Sequence, residues 1–475
     1  MEYSIVNFKQ LKEGVSFRFD AEFFHPRALL FEKRINGLHG KTIKEYGCTV
    51  VSGPFGSSLT SDAYLKTGIP FVRISDLRDF VIDTNELTYI SSANHTRLSS
   101  SKLKIGDFVL SKVGNTIGIV SIVTPDIGEC NISENNLGIR FPQECSIEER
   151  KFILAFLNSE AGQIQILRAI SGNAQPKLNV SDAELIRVPT VTPTLIKAIS
   201  DIMDQAIVLI GNSKQYYSQA EGTLLSELGL LNWKPKHRIS FVKNFSDTQT
   251  SERIDAEYFQ PKYDEVVERI KQYKKGYKLL GEIIRVKDKN FQPKDDVAYR
   301  YIELANISAN GNINGFFEAH GKELPTRARR KVNAGDVIVS TIEGALSSVA
   351  LINSDLDNAL CSTGFFVVHS EKINSETLLV LLKSPVGQLQ LKKGCSGTIL
   401  TAIGDDEFKR IILPELPAGI QGDIKKKITA MYDAKKLSRR LLDIAKRGVE
   451  IAIEKSEKDA RNWIEAELRT LKVSI

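Results

Sequence analysis

The feature that most constrains this chain is an internal repeat that runs through nearly all of its length. The segment 18–26 (RFDAEFFHP) returns as 253–261 (RIDAEYFQP), and further matches follow in the same order. The matched pairs are 18–26 with 253–261, 102–107 with 331–336, and 159–165 with 384–390. Because a repeat this long indicates a duplicated domain, we expect two globular copies of one unit, copy one and copy two.

Each copy mixes strand and helix patterns. Short apolar runs bounded by Gly, Pro and Asn predict strands, and apolar residues spaced three and four apart predict helices. Strands are expected at 68–77, 108–111, 297–307 and 337–340, and helices at 27–36, 147–157, 262–273 and 375–382. The predicted fold class is α+β, with two similar mixed α/β domains separated by two long helices.

The two long helices are predicted at 193–228 and 418–470, one after each copy. Pro193 suits a first helical turn, and one apolar stripe follows each helix. The stripe residues chosen as markers of the docking helices are Ile199, Met203, Ile210, Ile428, Met431 and Leu442. Packing of the two stripes predicts an antiparallel coiled coil with the copies at opposite ends of a rod. The alternative is that each helix folds back on its own copy.

Composition indicates a cytoplasmic protein without structural disulfides or metal. No stretch approaches the roughly 18 apolar residues of a membrane span, and the start lacks a basic region followed by an apolar one. The five cysteines are widely spaced and unmatched between the copies, so we expect them to be reduced and buried. The net charge of +6 lies mostly in 418–475, so a nucleic-acid-binding copy would have to cluster its positive charge locally.

The repeat also tests for catalysis, because a duplicated enzyme should repeat its catalytic groups. His25 is matched by Gln260, which argues against a general base there. No complete phosphate-binding loop or methyltransferase tetrapeptide occurs. The chain is therefore predicted to be non-catalytic.

Repeated carboxylates leave an enzyme as the alternative. Asp20 with Glu22, and Asp255 with Glu257, could act as acid–base pairs of a two-lobed hydrolase. A cap or a salt bridge to the preceding arginine is the simpler interpretation. A two-headed adaptor for protein ligands is a third possibility.

Polar loops at matched positions suggest DNA contact instead. Asn, Gln, Ser, Lys and Arg recognise base edges, and Gly lets the backbone approach phosphate. The candidate DNA-binding residues are Ser57, Ser58, Arg73, Ser75, Lys112, Asn115, Asn173, Gln175 and Lys177 in copy one, and Gln292, Lys294, Asn306, Thr341 and Thr398 in copy two. For any single residue, an ordinary surface loop is the competing interpretation. Two related copies with altered side chains would recognise two different short sequences.

Four segments resemble the specificity subunit of a type I restriction-modification system. They are 52–59 (SGPFGSSL), 69–77 (IPFVRISDL), 104–111 (KIGDFVLS) and 171–179 (SGNAQPKLN). The order of copy and helix also matches that family. The resemblance implies target recognition domains at 1–190 and 239–417, and conserved helical regions at 191–238 and 418–475.

The same resemblance implies the partners. Each recognition domain would bind one half of a bipartite sequence in double-stranded DNA, and the helices would set the spacer and dock two methylation subunits. Restriction and translocation subunits would join them, and no membrane is involved. S-adenosylmethionine, ATP and Mg²⁺ are expected on those partner subunits, with no cofactor or metal on this chain. The basic residues Lys425–Lys427 could form a docking surface, or simply a solvated helix face.

Overall fold

In the computed structural model, residues 4–5, 23–85, 87–170, 176–287, 289–308, 310–397 and 401–474 are described. The chain divides into two compact units. Unit 1 combines Met1–Ile210 with Lys435–Ile475, and unit 2 is Gly211–Ala434. Each unit therefore contains one sequence copy together with part of each long helix.

Copy one supplies the first set of helices and strands. They are α1 (Pro26–Gly37), β1 (Lys41–Thr42), β2 (Thr49–Ser52), β3 (Ile69–Val72), β4 (Phe80–Val81), β5 (Thr88–Ile90), α2 (Ser92–Arg97), β6 (Lys102–Leu103), β7 (Phe108–Ser111), β8 (Val120–Ile122), β9 (Cys130–Ile132), β10 (Asn136–Arg140), α3 (Ile147–Asn158), α4 (Glu160–Arg168), α5 (Val180–Glu184) and β11 (Arg187–Val188). The first long helix, α6 (Pro193–Glu227), follows.

Copy two supplies the second set. Its members are α7 (Phe245–Ser251), α8 (Pro261–Lys271), β12 (Tyr277–Leu279), α9 (Leu280–Ile283), β13 (Arg285–Val286), β14 (Ala298–Ile302), β15 (Phe317–His320), β16 (Ala328–Lys331), β17 (Val337–Ser340), β18 (Val349–Leu351), β19 (Leu360–Ser362), β20 (Phe365–His369), α10 (Ser375–Lys383), α11 (Pro385–Lys393), β21 (Cys395–Ser396), β22 (Ala402–Ile403), α12 (Asp405–Lys409) and β23 (Ile412–Pro414). Two helices follow, α13 (Ala418–Glu454) and α14 (Glu457–Leu471).

The two copies have the same sheet topology. One sheet has the order β2-β10-β7-β8-β4 in copy one and β13-β20-β17-β18 in copy two. The other has the order β5-β3-β9-β6 and, correspondingly, β15-β14-β19-β16. In both copies the central pair of the second sheet, β3 with β9 and β14 with β19, is parallel. The predicted duplication of a mixed α/β domain is confirmed, with β4 as an additional edge strand of copy one.

The predicted helices form because their ends are capped and one face is apolar. Ser146 begins α3 with a capping box, since its hydroxyl accepts from the Glu149 amide while the Glu149 carboxylate accepts from the Ser146 amide. Asn374 accepts from the Thr377 amide at the start of α10 in the same way. Both helices then bury most of their length against their own sheet.

The long helices contribute to the core of each unit. In unit 1 the core contains Leu195 and Ile199 of α6 together with Ala445 and Val449 of α13. In unit 2 the core contains Ala220 and Leu224 of α6 with Ile424, Ile428 and Met431 of α13. Both helices thus pack together within a shared core in each unit, which disfavours helices that fold back separately. The antiparallel coiled coil itself stays a prediction.

The C-terminal helix is shorter than predicted. The sequence predicted one helix over 418–470, whereas α13 ends at Glu454 and α14 begins at Glu457. Ser456 adopts an extended conformation, with φ −158° and ψ 160°, and its hydroxyl accepts from the Asp459 amide. A serine that caps a new helix therefore interrupts the pattern, because Ser satisfies amide groups better at a helix start than inside a helix.

The cysteine and membrane expectations can be compared directly with the structure. All five cysteines are free and buried. Within the described ranges, no helix combines the length and apolar character that crossing a bilayer requires.

Candidate nucleic-acid interface

Three separate loops of copy one meet where β7 ends. Beyond Ser111 the chain continues to Val113, which forms an isolated β-bridge with Lys177. The Leu178 amide donates to the Lys112 carbonyl over 3.0 Å. The Lys112 ammonium donates to the Ser52 hydroxyl over 2.6 Å, which brings in the loop after β2. The structure therefore places Lys112, Lys177 and the start of the 52–59 segment together.

Lys112 is held in an unusual electrostatic environment for a lysine. Its side chain is only 7% exposed, and the hydrogen bond to Ser52 pairs it with a neutral hydroxyl. Burial lowers the pKa of Lys112, and repulsion from Lys177 lowers it further, while Glu134 acts in the opposite direction. An acceptor from outside, such as a phosphate oxygen or a base edge, would stabilise the charged form. The site is therefore suited to an anionic or acceptor-rich ligand.

A pocket of about 480 Å³ lies beside this lysine. The residues of its wall that bear on ligand binding are Phe55, Gly56, Arg73, Ser75, Glu134 and Asn135. Phe55 is 86% exposed, and the Gly56 amide donates to the Glu134 carboxylate. A Cβ on Gly53 would come within 1.9 Å of the Ser133 carbonyl oxygen, so only glycine allows the loop to approach so closely. The glycines of the 52–59 segment thus fix the pocket wall.

Arg73 and Ser75 are only partly available. The Arg73 guanidinium forms an ion pair with buried Asp76, with Nη2 3.0 Å from Oδ1, and the Arg73 amide donates to the same carboxylate over 2.8 Å. Ser75 donates from its hydroxyl to Asp76 over 3.1 Å. Arg73 therefore helps to hold the turn after β3, and its exposed part lines the pocket.

The other candidates of copy one lie on neighbouring turns or outside the described residues. Ser57 and Ser58 form a 3₁₀ turn at Gly56–Ser58, and the Ser58 carbonyl accepts from Arg97 over 2.6 Å. Asn115 lies in the turn Gly114–Thr116 shortly after Lys112. Asn173 and Gln175 lie outside the described residues.

Copy two builds the same junction from different side chains. Ile342 forms an isolated β-bridge with Ala402, and the Ile403 amide donates to the Thr341 carbonyl over 2.9 Å. Thr341 therefore occupies the position of Lys112, and Ala402 that of Lys177. Two positive charges of copy one are absent from the equivalent positions.

The remaining candidates of copy two behave differently from one another. Asn306 accepts from the Glu303 amide over 2.8 Å and so holds the turn after β14, as Asp76 does in copy one. Gln292 accepts from the Arg329 guanidinium, and Lys294 is exposed on the same loop. Thr398 lies outside the described residues.

The structure adds arginines that the sequence interpretation missed. The Thr363 amide donates to the Arg327 carbonyl over 2.9 Å, and the neighbouring Gly364 carbonyl accepts from the Thr341 amide over 2.9 Å. Arg327 is exposed and Arg329 contacts Gln292, so both lie beside loops that contain candidates. The signal was the basic run 327–330 (RARR), which has no basic counterpart at 98–101 (LSSS) in copy one.

The marker residues of the docking helices are mostly buried. Ile199, Met203, Ile428 and Met431 have 0% exposure and Leu442 has 9%, while Ile210 is half-buried. Their side chains pack inside the units, so a partner subunit would have to contact other faces of these helices. Lys425 and Lys426 are exposed on α13.

The carboxylates of the enzyme alternative have structural partners in copy two. Asp255 accepts two hydrogen bonds from Arg253, at 2.7 and 3.0 Å, and these lower its pKa. Burial raises the pKa of Glu257, but hydrogen bonds from Tyr263 and Lys262 outweigh it and lower the pKa overall. The predicted salt bridge to Arg253 is confirmed, whereas Asp20 and Glu22 lie outside the described residues. In the part of the chain that the structure describes, no group of three or more His, Cys, Asp or Glu side chains could hold a metal.

Duplicated two-sheet domains, long helices shared by both cores and polar loops at equivalent strand ends are the features predicted for a specificity subunit. No family model matches the chain. The chain is similar to the specificity subunit of the type I restriction enzyme EcoBI from Escherichia coli, with 29% identity over 125 residues. This match spans 26% of each chain, about a quarter of the relative's length. The resemblance inferred from the sequence motifs is thereby confirmed over that segment.

Two solved structures are also similar. The type I restriction-modification S subunit from M. genitalium matches 87% of this chain and 94% of its own, with 11% identity and a TM-score of 0.38. The HsdS subunit from Thermoanaerobacter tengcongensis matches 86% and 97%, with 14% identity and a TM-score of 0.27.

Proposed function

We propose that the chain is the DNA sequence-recognition subunit of a type I restriction-modification complex. Each copy recognises one half of a bipartite target, and the long helices set the spacer and dock the methylation subunits. The chain carries no reaction of its own. It acts by selecting the site at which its partners act.

The observation that supports this proposal is one topology built twice with different side chains at the equivalent loops. Lys112 and Lys177 of copy one are replaced by Thr341 and Ala402 of copy two, while the bridging geometry is kept. Side chains that differ on a constant framework are what recognition of two different base sequences requires. The sequence similarity to the EcoBI specificity subunit supports the same proposal.

The proposed partners follow from this role. They are double-stranded DNA, two methylation subunits, and the restriction and translocation subunits. S-adenosylmethionine, ATP and Mg²⁺ would act on those partners, and this chain would bind no cofactor. The exposed lysines Lys425 and Lys426 are candidates for a surface that contacts a methylation subunit.

The test is to map the sequence that the full chain selects. The chain, co-expressed with a methylation subunit, would be incubated with a random duplex library, and bound or methylated molecules would be sequenced. We expect two unlike half-sites separated by a fixed number of unspecified base pairs. A single uninterrupted motif, or no motif at all, would refute the proposal.

A hydrolase is not supported by the groups that the alternative needs. Asp255 and Glu257 are held by Arg253, Lys262 and Tyr263, and both have lowered pKa values, so neither is suited to donate a proton near neutral pH. Hydrolytic activity of the purified chain that Asp255→Asn abolishes would favour that alternative.

A further inference from the structure

Copy two contains a positively charged pocket that no part of the proposed recognition loops uses. The pocket has a volume of about 630 Å³ and lies beside β13 and β16, each at the edge of its sheet. Among the described residues that line it are four cationic side chains and one carboxylate: Arg285, Lys287, Lys289, Lys331 and Asp336. This described set of side chains suits the pocket to an anion.

Buried Asp336 organises the pocket without neutralising it. Its side chain is 1% exposed, and its carboxylate lies 2.7 Å from the Lys287 ammonium and 3.3 Å from His369 Nδ1. The Lys287 ammonium also donates to the Asn333 side chain over 3.2 Å. One carboxylate thus fixes Lys287 at the rim, with His369 beside it.

Arg285 and Lys331 are held more loosely than Lys287 and so are available to a ligand. Arg285 forms an ion pair with Glu371 at 3.2 Å, but both side chains are largely exposed, so this pair contributes little. Lys331 is exposed, and its ammonium lies 5.7 Å from the centre of the Phe291 ring. A charged ligand could therefore recruit both side chains at small cost.

The corresponding side chains of copy one bond to the backbone instead. There Arg140 occupies the strand position of His369, and its guanidinium donates to the carbonyls of Lys102 and Ser100, each over 2.8 Å. The Asp107 carboxylate, the counterpart of Asp336, accepts from the Lys104 and Phe141 amides over 2.8 and 3.1 Å. The framework is shared, whereas the structure describes a cavity lined by Arg285, Lys287 and Lys331 in copy two.

We propose that this pocket binds a phosphate group of the DNA backbone that flanks the half-site recognised by copy two. The proposal rests on the DNA-recognition function above. The pocket residue Asp336 directly precedes β17, and Thr341 directly follows it, five residues away. An extended segment of that length spans about 17 Å, or roughly five base pairs of B-DNA at about 3.4 Å each, which is within the length of one short duplex.

A backbone phosphate fits the lining better than a free nucleotide does. Phe291 is the aromatic side chain of the described lining, and its ring already packs edge-to-face against Tyr299, with centroids 5.8 Å apart. Lysine and arginine side chains without a base-binding slot are typical of phosphate contacts that add affinity without sequence preference.

The test compares the double variant Arg285→Gln/Lys331→Gln with the wild-type full chain. Lys287 is kept, because its loss would leave the buried Asp336 charge without its partner. The matched control is Lys102→Gln, the counterpart of Lys331 in copy one. Duplex affinity would be measured between about 50 and 200 mM salt for the preferred and for scrambled sequences.

The salt slope is the steepness with which the logarithm of the DNA affinity falls as the logarithm of the salt concentration rises. Each lost phosphate contact reduces that steepness by about 0.9, so the affinity lost between about 50 and 200 mM salt becomes roughly 3.5-fold smaller. We expect the slope of the double variant to fall by about 0.9 if one phosphate contact is lost and by about 1.8 if two are lost, with the sequence preference unchanged. Lys102→Gln should match wild type. An unchanged slope, or an altered preference at the second half-site, overturns the pocket proposal.

A second arm separates the two sources of phosphate. Binding of ATP and of inorganic phosphate to the same proteins would be measured by calorimetry. Loss of ATP binding in the double variant with an unchanged DNA salt slope would overturn the backbone assignment. A wild-type chain without any sequence preference would instead refute the recognition function, so the two failures are distinguishable.

Discussion

Replacing Lys112 by Met should weaken DNA binding strongly while leaving the fold intact. Folding has already buried most of Lys112, which is 7% exposed, so a hydrogen bond from its ammonium to a DNA acceptor costs less desolvation than one from an exposed lysine. Such a bond contributes about 1.5–3 kcal/mol, which corresponds to roughly 10- to 140-fold in affinity. The loss should be confined to the half-site recognised by copy one.

The stability of the variant should change little. Lys112→Met removes the charge-assisted hydrogen bond to Ser52, which contributes about 1.5–3 kcal/mol. It also removes the burial penalty and the repulsion from Lys177, both of which lower the lysine pKa. These effects oppose each other, so we expect the free energy of unfolding to stay within about 1 kcal/mol of wild type.

The assay titrates labelled duplexes that carry both half-sites, only the first or only the second. Lys104→Met is the matched control, because Lys104 is an exposed lysine near the other end of β7. Urea denaturation checks the fold. A loss below about twofold in a folded Lys112→Met protein, or an equal loss in Lys104→Met, would show that the reasoning about this site is wrong.

Three further predictions concern the helices. Inserting four residues after Ser213 lengthens α6 by about 6 Å and rotates the following part of the helix by slightly more than one full turn. The spacer between half-sites should therefore change by roughly two base pairs, which sequencing of the methylated sites would measure. Burial lowers the pKa of Lys435 to about 7, so above that pH the unfolded chain binds more protons at this lysine than the folded chain does. The wild-type free energy of unfolding, compared with that of Lys435→Met, should therefore rise by about 2 kcal/mol between pH 7 and 9, as measured by urea denaturation. Ile428→Ala should lower the free energy of unfolding by about 2–5 kcal/mol, whereas Ile239→Ala, at a fully exposed position, should change it by less than about 0.5 kcal/mol in the same experiment.

Much of the fold could be predicted because the repeat and the periodicities are local signals. The strands 108–111 and 337–340 and the start of the helix at Pro193 lie where the sequence placed them. Each of these elements combines a strong apolar pattern with a boundary residue such as Pro or Ser. The break between α13 and α14 was missed, because a single capping serine competes there with an otherwise continuous helical pattern.

The candidate site was only partly predictable, because its residues come from segments far apart in the chain. The sequence suggested the loops of Lys112 and Lys177, but the bridge between Val113 and Lys177 depends on tertiary packing. Arg327 was missed for the same reason, since nothing in its own neighbourhood links it to Thr363 and the Thr341 junction. The same holds for burial: Ile199 and Met203 were chosen as markers of a docking helix, yet each completes a core.

The pattern of matches between the copies follows from where each residue makes its contacts. Gly106 and Gly335 both have a positive φ, near 86° and 89°, which favours glycine. The following residues, Asp107 and Asp336, each accept a hydrogen bond from the backbone amide three residues earlier. The turn itself therefore requires the Gly-Asp pair in each copy. Lys112 and Thr341 share only their backbone bonds, to Leu178 and Ile403. Their side chains bond different partners, Ser52 and the Gly364 carbonyl. Divergence there changes the ligand without changing the domain. Under the proposed function, a framework fixed by backbone geometry, with side chains that differ at one strand end, would let one fold recognise two different sequences.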